Sequence, residues 1–158
     1  MIRKYQSQDR DAIIKMIDSI YHEYGDKIYL EGADSDLLDI EANYLQNGEF
    51  WVEQDDTGKI IACIAIKRSI NSLSEPTASL KRFYILLEYR GLGLAQQMHN
   101  TAIEWCKQNN ISQIYLWSDT RFTRAHSFYN KHGYKQQGIR DMNDGAMPYQ
   151  EYYFVKTL

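Results

Sequence analysis

The fold of this chain is decided by the stretch Arg90-Gly91-Leu92-Gly93-Leu94-Ala95, in a sequence of 158 residues. Before it, the polar-interrupted run 77–87 predicts a strand, and after it apolar residues recur at helical spacing from Leu94 to Trp105. At a strand-to-helix junction the first backbone N–H groups of the helix lack partners, and glycine has no Cβ to keep a ligand away. The stretch therefore predicts an anion-binding turn.

Two nucleotide-binding motifs do not fit this turn. A Walker loop requires Gly-Lys-Ser/Thr at the start of the helix, whereas this chain has Gly93-Leu94-Ala95. A dinucleotide fingerprint requires a small residue three places after the second glycine, where Gln96 stands. The stretch instead resembles the acyl-CoA signature of the GNAT family of N-acetyltransferases, Gln/Arg-x-x-Gly-x-Gly/Ala, with Arg90, Gly93 and Ala95 at its three fixed positions.

Two further segments carry the same resemblance. The run Leu80-Lys81-Arg82-Phe83-Tyr84-Ile85 is similar to the fourth strand of the family. The segment Ala125-x-x-Phe128-Tyr129-x-Lys131-x-Gly133-Tyr134 is similar to its second conserved segment. The resemblance implies an α/β (α+β) fold: a mixed, mostly antiparallel sheet of six to seven strands, with about four helices on both faces, splayed between strands 4 and 5.

The hydrophobic pattern predicts the same kind of fold in a single domain, 1–158, because no linker or repeat interrupts it. Predicted helices cover 13–24, ending at Gly25; 35–47, ending at Gly48; 94–105; and 125–131. Predicted strands cover 2–5, 50–52, 60–66, 77–87, 113–117, 134–137 and 150–155.

The resemblance implies acetyl-CoA as the co-substrate. The pantetheine amides would pair like an added strand with the backbone of Phe83, Tyr84 and Ile85. The pyrophosphate would lie on backbone amides of the Gly-rich turn and helix start: Arg90, Gly91, Leu92, Gly93, Leu94, Ala95 and Gln96.

The implied reaction moves an acetyl group to a primary amine by direct attack in a ternary complex. Tyr129 matches the frequent general acid of the family, and its alternative role is packing beside Phe128. A phenol has a pKa of about 10 and a thiol of about 8.5, so full proton transfer to the sulfur is uphill by about 2 kcal/mol. We therefore expect Tyr129 to stabilise the leaving thiolate through a hydrogen bond.

Two positions depart from the family pattern. No carboxylate stands in the strand segments 78–80 and 116–118, where many members carry a base, and Phe122 replaces an asparagine that contacts pantetheine. Glu31, Glu75, Glu88, Asp119 and a water chain remain as candidate bases. These departures leave a second hypothesis, a non-catalytic acyl-CoA-binding sensor or regulatory protein, and a third, a binder of another phosphate ligand.

The acceptor is less well defined by the sequence. Between Gly25 and Gly48 there are six acidic residues against one basic residue. This excess favours a cationic acceptor, a small-molecule amine or a peptide N-terminus or lysine, but a solvated helix face accounts for it equally.

Composition excludes other classes of function. Eighteen basic and 21 acidic residues give a net charge of −3 without a Lys/Arg cluster, which argues against nucleic-acid binding. The sequence contains no run of 18 apolar residues, so it predicts no membrane-spanning helix. Cys63 and Cys106 stand in apolar runs, which favours a reduced, cytoplasmic protein. The four histidines show no metal-ligand spacing, and a homodimer is compatible with the sequence.

Overall fold

The computed structural model describes residues 1–71 and 73–158. In this part of the chain, seven strands form one sheet in the order β1-β2-β3-β4-β5-β7-β6. Their bounds are β1 Ile2–Lys4, β2 Gly48–Gln54, β3 Ile60–Ile70, β4 Pro76–Ile85, β5 Gln113–Asp119, β6 Lys135–Met142 and β7 Tyr149–Thr157. Every neighbouring pair is antiparallel except β4 and β5. The mixed, mostly antiparallel sheet that the resemblance implies is confirmed.

Helices cover both faces of the sheet. They are α1 (Arg10–His22), α2 (Leu94–Gln108) and α3 (Thr123–Lys131). One apolar cluster joins α1 to one face, and a second joins α2 and α3 to the other. Alternate residues of β3 belong to the two clusters, with Cys63 in the first and Ile64 in the second. This strand therefore lies inside the sheet, between β2 and β4, as its continuous apolar run predicts.

The predicted helix over 35–47 is wrong. In its place are a 3₁₀ turn, Ser35–Leu38, and a π-helical turn, Glu41–Leu45. The side chains of Asp34 and Asp36 reach across to Arg82 on β4, and the carboxylate of Asp39 accepts a hydrogen bond from a backbone amide three residues on. Aspartate carboxylates that bind elsewhere or cap local amides compete with regular helix formation, so tertiary contacts override the apolar spacing here.

The sheet opens between β4 and β5. The two strands pair only through Thr77–Gln113, Ala78–Ile114 and Ser79–Tyr115, and beyond these three pairs no ladder joins them within the described residues. The backbone edge of β4 from residue 80 onward therefore faces a gap instead of a neighbouring strand. This is the splay between strands 4 and 5 that the resemblance implies.

A β-bulge lies in β4 beside this gap. Lys81 pairs with Ala65 and Tyr84 with Cys63, so β4 contains one residue more than β3 over this interval. Arg82 adopts a positive φ of 52° within the bulge, a rare conformation for a residue other than glycine.

The bulge exchanges the faces of β4. Before it, Leu80 packs into the α2 cluster; after it, Phe83 and Ile85 do so, while Tyr84 packs on the α1 side. Because side chains alternate along a strand, one extra residue moves every later side chain to the opposite face. Without the bulge, Tyr84 would point toward α2.

A buried histidine connects α2 to the segment after α3. His99 Nε2 lies 2.8 Å from the Tyr134 hydroxyl. Burial, together with the charges of His132 and Lys156, lowers the pKa of His99 to about 4. The ring is therefore neutral in the folded protein at neutral pH.

This histidine makes folding stability depend on pH. In the unfolded chain its pKa is about 6.5, so the unfolded state binds more protons between pH 6.5 and 4 and stability falls as pH is lowered. We expect the free energy of unfolding to drop by about 2 kcal/mol between pH 7.5 and 5 through this group. Urea unfolding of the wild type and of His99→Gln at both pH values tests this. Equal losses in the two proteins would contradict it.

Candidate active site

The gap between β4 and β5 is a cavity of about 570 Å³. Its walls come from both strands, from α3, from the loop between α1 and β2, and from the hairpin between β6 and β7. The start of α2 follows directly from β4 through the turn at Leu87–Tyr89. The Gly-rich turn therefore follows, along the chain, the strand that forms one wall of the cavity.

Free backbone amides lie at the start of α2. Gly91 and Gly93 have positive φ values of 79° and 82°, and nothing lies within 4 Å of a Cβ built on Gly93. The first amide bonded into the helix is that of Gln97, which donates to the Gly93 carbonyl. The amides of residues 91–96 have no hydrogen-bond partner among residues 1–71 and 73–158. Six such N–H groups at the positive end of a helix are a candidate anion site.

Arg90 differs from the residues that follow it. Its amide donates to the Leu87 carbonyl at 3.3 Å, and its Nε donates to the Ile85 carbonyl at 2.8 Å. The rest of its guanidinium binds both carboxylate oxygens of Glu23, at the end of α1. Arg90 thus connects the end of α1 to the end of β4, and the candidate anion site consists of the six amides after it.

Tyr129 places a ring in the core and a hydroxyl at the cavity. The ring is buried against Phe128, Tyr134 and Phe154. The hydroxyl has no hydrogen-bond partner among the described residues. Every fully buried side-chain N or O atom in those residues does have a partner, so this hydroxyl is not fully buried and is open to the cavity that Tyr129 lines. Burial and then the nearby Tyr84 raise its pKa above the usual value, which keeps the hydroxyl protonated. Tyr129 therefore offers an unused hydrogen-bond donor.

A buried ion cluster lies on the opposite wall. The Arg82 guanidinium binds Asp34 at 2.9 Å and Asp36, and it also donates to Tyr21 Oη at 3.2 Å and to the Ala33 carbonyl at 3.1 Å. Burial opposes ionisation of Asp36, but Arg82 lowers the pKa of this carboxyl below its usual value. The cluster joins the loop after α1 to the bulge of β4. Sequence reasoning missed it; the signal was a charged residue inside a predicted strand.

The acidic segment after Gly25 is not a solvated helix face. Asp34 and Asp36 bind Arg82, and Asp26 binds Arg121 at 2.8 Å. These three side chains line the cavity, whereas Glu31 is exposed and lies outside it. Much of the acidic charge is therefore paired at the cavity wall.

The candidate bases are mostly remote. Glu75 and Glu88 are exposed and do not line the cavity. Asp119 lines the cavity but binds Arg121 at 2.6 Å.

Phe122 packs against Tyr21, Tyr24 and Tyr84 and forms an aromatic wall.

His126 and both cysteines are buried. His126 Nε2 lies 3.1 Å from Ser118 Oγ. Cys63 and Cys106 are free, and burial raises the pKa of each thiol to about 12. Both cysteines therefore pack as small apolar residues, in keeping with the apolar runs in which they stand.

Two loops meet over the cavity at Gly32. The amide of Ala33 donates to the Asp144 carbonyl at 2.8 Å, which joins the loop after α1 to the β6–β7 hairpin. A Cβ at Gly32 would lie 2.2 Å from that same carbonyl oxygen and 2.9 Å from the ring of Tyr29. Only glycine permits this approach.

We expect Gly32→Ala to separate the two loops. Overpacking of this kind costs about 2 kcal/mol, which in a domain of this size lowers the midpoint of thermal unfolding by about 5 °C. Gly138→Ala is the control, since a Cβ there meets only Tyr153 Cβ at 3.9 Å. Thermal unfolding, monitored by circular dichroism, compares the two variants. Equal midpoints would contradict the close approach of the Asp144 carbonyl to Gly32.

The described residues lack two kinds of feature. They contain no group of three or more His, Cys, Asp or Glu side chains that could hold a metal ion. They also contain no helix long and apolar enough to cross a membrane.

A sheet opened at one end beside a helix start with free amides is the arrangement that the resemblance to the GNAT family implies. The model described as the acetyltransferase (GNAT) family matches residues 14–134, most of the chain. The chain therefore belongs to the acetyltransferase (GNAT) family, and the resemblance seen in the sequence is confirmed.

The chain covers different shares of the length of its relatives. The uncharacterized N-acetyltransferase YjgM of Escherichia coli K12 is 28% identical over 139 residues, which span 85% of this chain and 81% of that protein. The N-acetylaspartate synthetase of Danio rerio is 27% identical over 131 residues, or 79% of this chain but 44% of that protein. The chain thus spans less than half of the length of this animal relative.

Solved structures share the fold. A GNAT-family acetyltransferase from Staphylococcus aureus Mu50 superposes with a TM-score of 0.85 at 24% identity, covering 100% of this chain and 98% of that one. A GNAT-family acetyltransferase from Elizabethkingia anophelis with acetyl-CoA bound superposes with a TM-score of 0.64 at 14% identity, covering 100% and 97%. At these identities the likeness concerns the fold.

Proposed function

We propose that this protein transfers an acetyl group from acetyl-CoA to a primary amine, by direct attack within a ternary complex. The observation that carries the proposal is the row of six amides, residues 91–96, without partners at the start of α2, beside the unpaired edge of β4. A diphosphate attached to an amide-containing arm matches both features. The structural relative from E. anophelis, which has acetyl-CoA bound, supports the same donor.

The acetyl-CoA would extend from the start of α2, along the edge of β4, toward the cavity. Its diphosphate would accept hydrogen bonds from the amides of residues 91–96, and its pantetheine would pair with the backbone of Phe83, Tyr84 and Ile85. The Ile85 carbonyl already accepts from Arg90, so the remaining backbone groups of this segment would make the pairing. Arg124 has a guanidinium nitrogen 3.2 Å from the Cβ position of Gly91, which puts a cation beside the turn for a CoA phosphate.

The acyl group would then lie in the cavity. The lone pair of the neutral amine attacks the thioester carbonyl carbon, a C–N bond forms, and the carbonyl electrons move to oxygen. Collapse of this intermediate breaks the C–S bond, and the proton lost by nitrogen ends on the CoA sulfur, which leaves as the thiol. Tyr129, with its unused donor at the cavity, would hydrogen-bond the sulfur as negative charge develops there.

The class of acceptor is an amine on a small molecule or at a peptide N-terminus or lysine. No single carboxylate of the described cavity wall is free of an ion pair or hydrogen bond and suited to act as the base, which leaves proton removal to water. A cytoplasmic location and a homodimer remain predictions.

Release of free thiol from acetyl-CoA tests the proposal. We expect release to rise at least about tenfold above the amine-free rate with one or more members of a panel of primary amines. Tight CoA binding by calorimetry without release from any amine would support the alternative, a sensor or regulatory protein. No heat on adding CoA would contradict both.

A further inference from the structure

Two tyrosines that line the cavity, Tyr84 and Tyr129, use their hydroxyl protons differently. Tyr84 Oη lies 3.1 Å from Tyr21 Oη. Tyr21 Oη in turn lies 3.0 Å from Asp34 Oδ1 and receives an N–H from Arg82 at 3.2 Å. The direction of each hydrogen bond in this chain follows from which groups can donate.

An ionised carboxylate only accepts, so Tyr21 must give its single proton to Asp34. With that proton committed, Tyr21 can only accept from its two other neighbours, the Arg82 guanidinium and Tyr84. Tyr84 therefore donates to Tyr21. Its remaining lone pairs have no partner among the described residues, and its side chain lines the cavity.

From this bonding order we infer that Tyr84 Oη receives an N–H of the acceptor amine and orients the nitrogen for attack. The inference rests on the proposed function and deepens it by naming the group that binds the acceptor. Tyr84 is placed to accept and Tyr129 to donate, which matches the needs of the two reacting groups. The incoming amine has N–H groups to give, and the departing sulfur needs a donor.

Charge behind Tyr84 favours the same ligand. Arg82 carries one positive charge, and Asp34 and Asp36 carry two negative charges, so this cluster is net −1. All three side chains line the cavity together with Tyr84. A net negative cluster that polarises an accepting hydroxyl attracts an N–H donor and disfavours an anionic acceptor group at this wall.

Kinetics of three Tyr-to-Phe variants test the inference. With an amine that the wild type acetylates, we expect Tyr84→Phe to lower kcat/KM for the amine about 10- to 30-fold, the range for one hydrogen bond to a polar or charged group. The KM for acetyl-CoA should stay within about twofold. Tyr21→Phe keeps the Tyr84 hydroxyl but frees its proton, so kcat/KM should fall about fivefold.

Tyr44→Phe is the matched control. Its hydroxyl binds Asp36, the second carboxylate that pairs with Arg82, and within the described part of the chain it makes no hydrogen bond to Tyr21 or Tyr84. It should keep kcat/KM for the amine within about twofold. Normal CoA binding by calorimetry identifies the variants that fold. If Tyr84→Phe does not fold, the kcat/KM of Tyr21→Phe for the amine tests the inference in its place.

The outcomes separate the inference from the proposed function. Suppose that the wild type shows amine-dependent turnover. If kcat/KM for the amine is then no lower in Tyr84→Phe and Tyr21→Phe than in Tyr44→Phe, the inference is overturned and the proposed function stands. Absence of amine-dependent thiol release by the wild type would overturn the proposed function and the inference with it. Selective loss of amine kcat/KM in the first two variants supports both.

Discussion

Tyr129→Phe is expected to lower kcat about 100-fold, because it removes the donor that stabilises charge on the leaving sulfur. The ring packs in the core without help from the hydroxyl, which has no hydrogen-bond partner among the described residues. Folding should therefore be nearly unchanged. The KM for acetyl-CoA should stay within about threefold, because the donor acts on the transition state and not on the bound thioester. Steady-state kinetics of thiol release provide the measurement.

Tyr153→Phe is the control for this variant. Tyr153 is a β7 residue that packs against Tyr115 and Trp117 and does not line the cavity. It should retain wild-type kcat. A Tyr129→Phe protein with kcat within threefold of the control would contradict a role for this hydroxyl in thiol departure.

Gly93→Asp is expected to raise the dissociation constant of CoA about 100-fold. Asp and Asn both tolerate positive φ, and nothing lies within 4 Å of a Cβ at this position. The added carboxylate would stand beside the bound diphosphate, where two unit charges about 5 Å apart repel by about 3 kcal/mol at an effective dielectric constant of 20, before salt screening. It would also cap the amides that should hold the ligand.

Gly93→Asn has the same shape without the charge. It can cap the same amides, so its dissociation constant should rise only about fivefold. Calorimetric titration with CoA at low and high salt distinguishes the two variants, and the gap between them should narrow as salt screens the charge. Equal affinities at low salt would place the diphosphate away from the start of α2.

The parts of the fold and site that local sequence specifies could be predicted. Gly91 and Gly93 define the turn, because their positive φ values are available to few other residues. The helix that follows and the apolar strand β3 have periodicities that need no distant partner. The free amides follow from these local features, since any helix start has them.

The rest depends on contacts between distant segments. The helix predicted over 35–47 fails because Asp34 and Asp36 bind Arg82, about fifty positions along the chain. The face on which Tyr84 lies depends on one extra residue in β4, which the strand's composition does not reveal. The position of the Arg90 side chain depends likewise on tertiary structure, because its guanidinium binds Glu23 at the end of α1.

A crystal structure of the protein with acetyl-CoA tests the central claim most directly. We expect diphosphate oxygens within about 3.2 Å of at least three amides among residues 91–96. The pantetheine should pair with β4, and the thioester should lie between Tyr84 and Tyr129. A complex in which those six amides stay without a ligand while acetyl-CoA binds elsewhere would contradict the account.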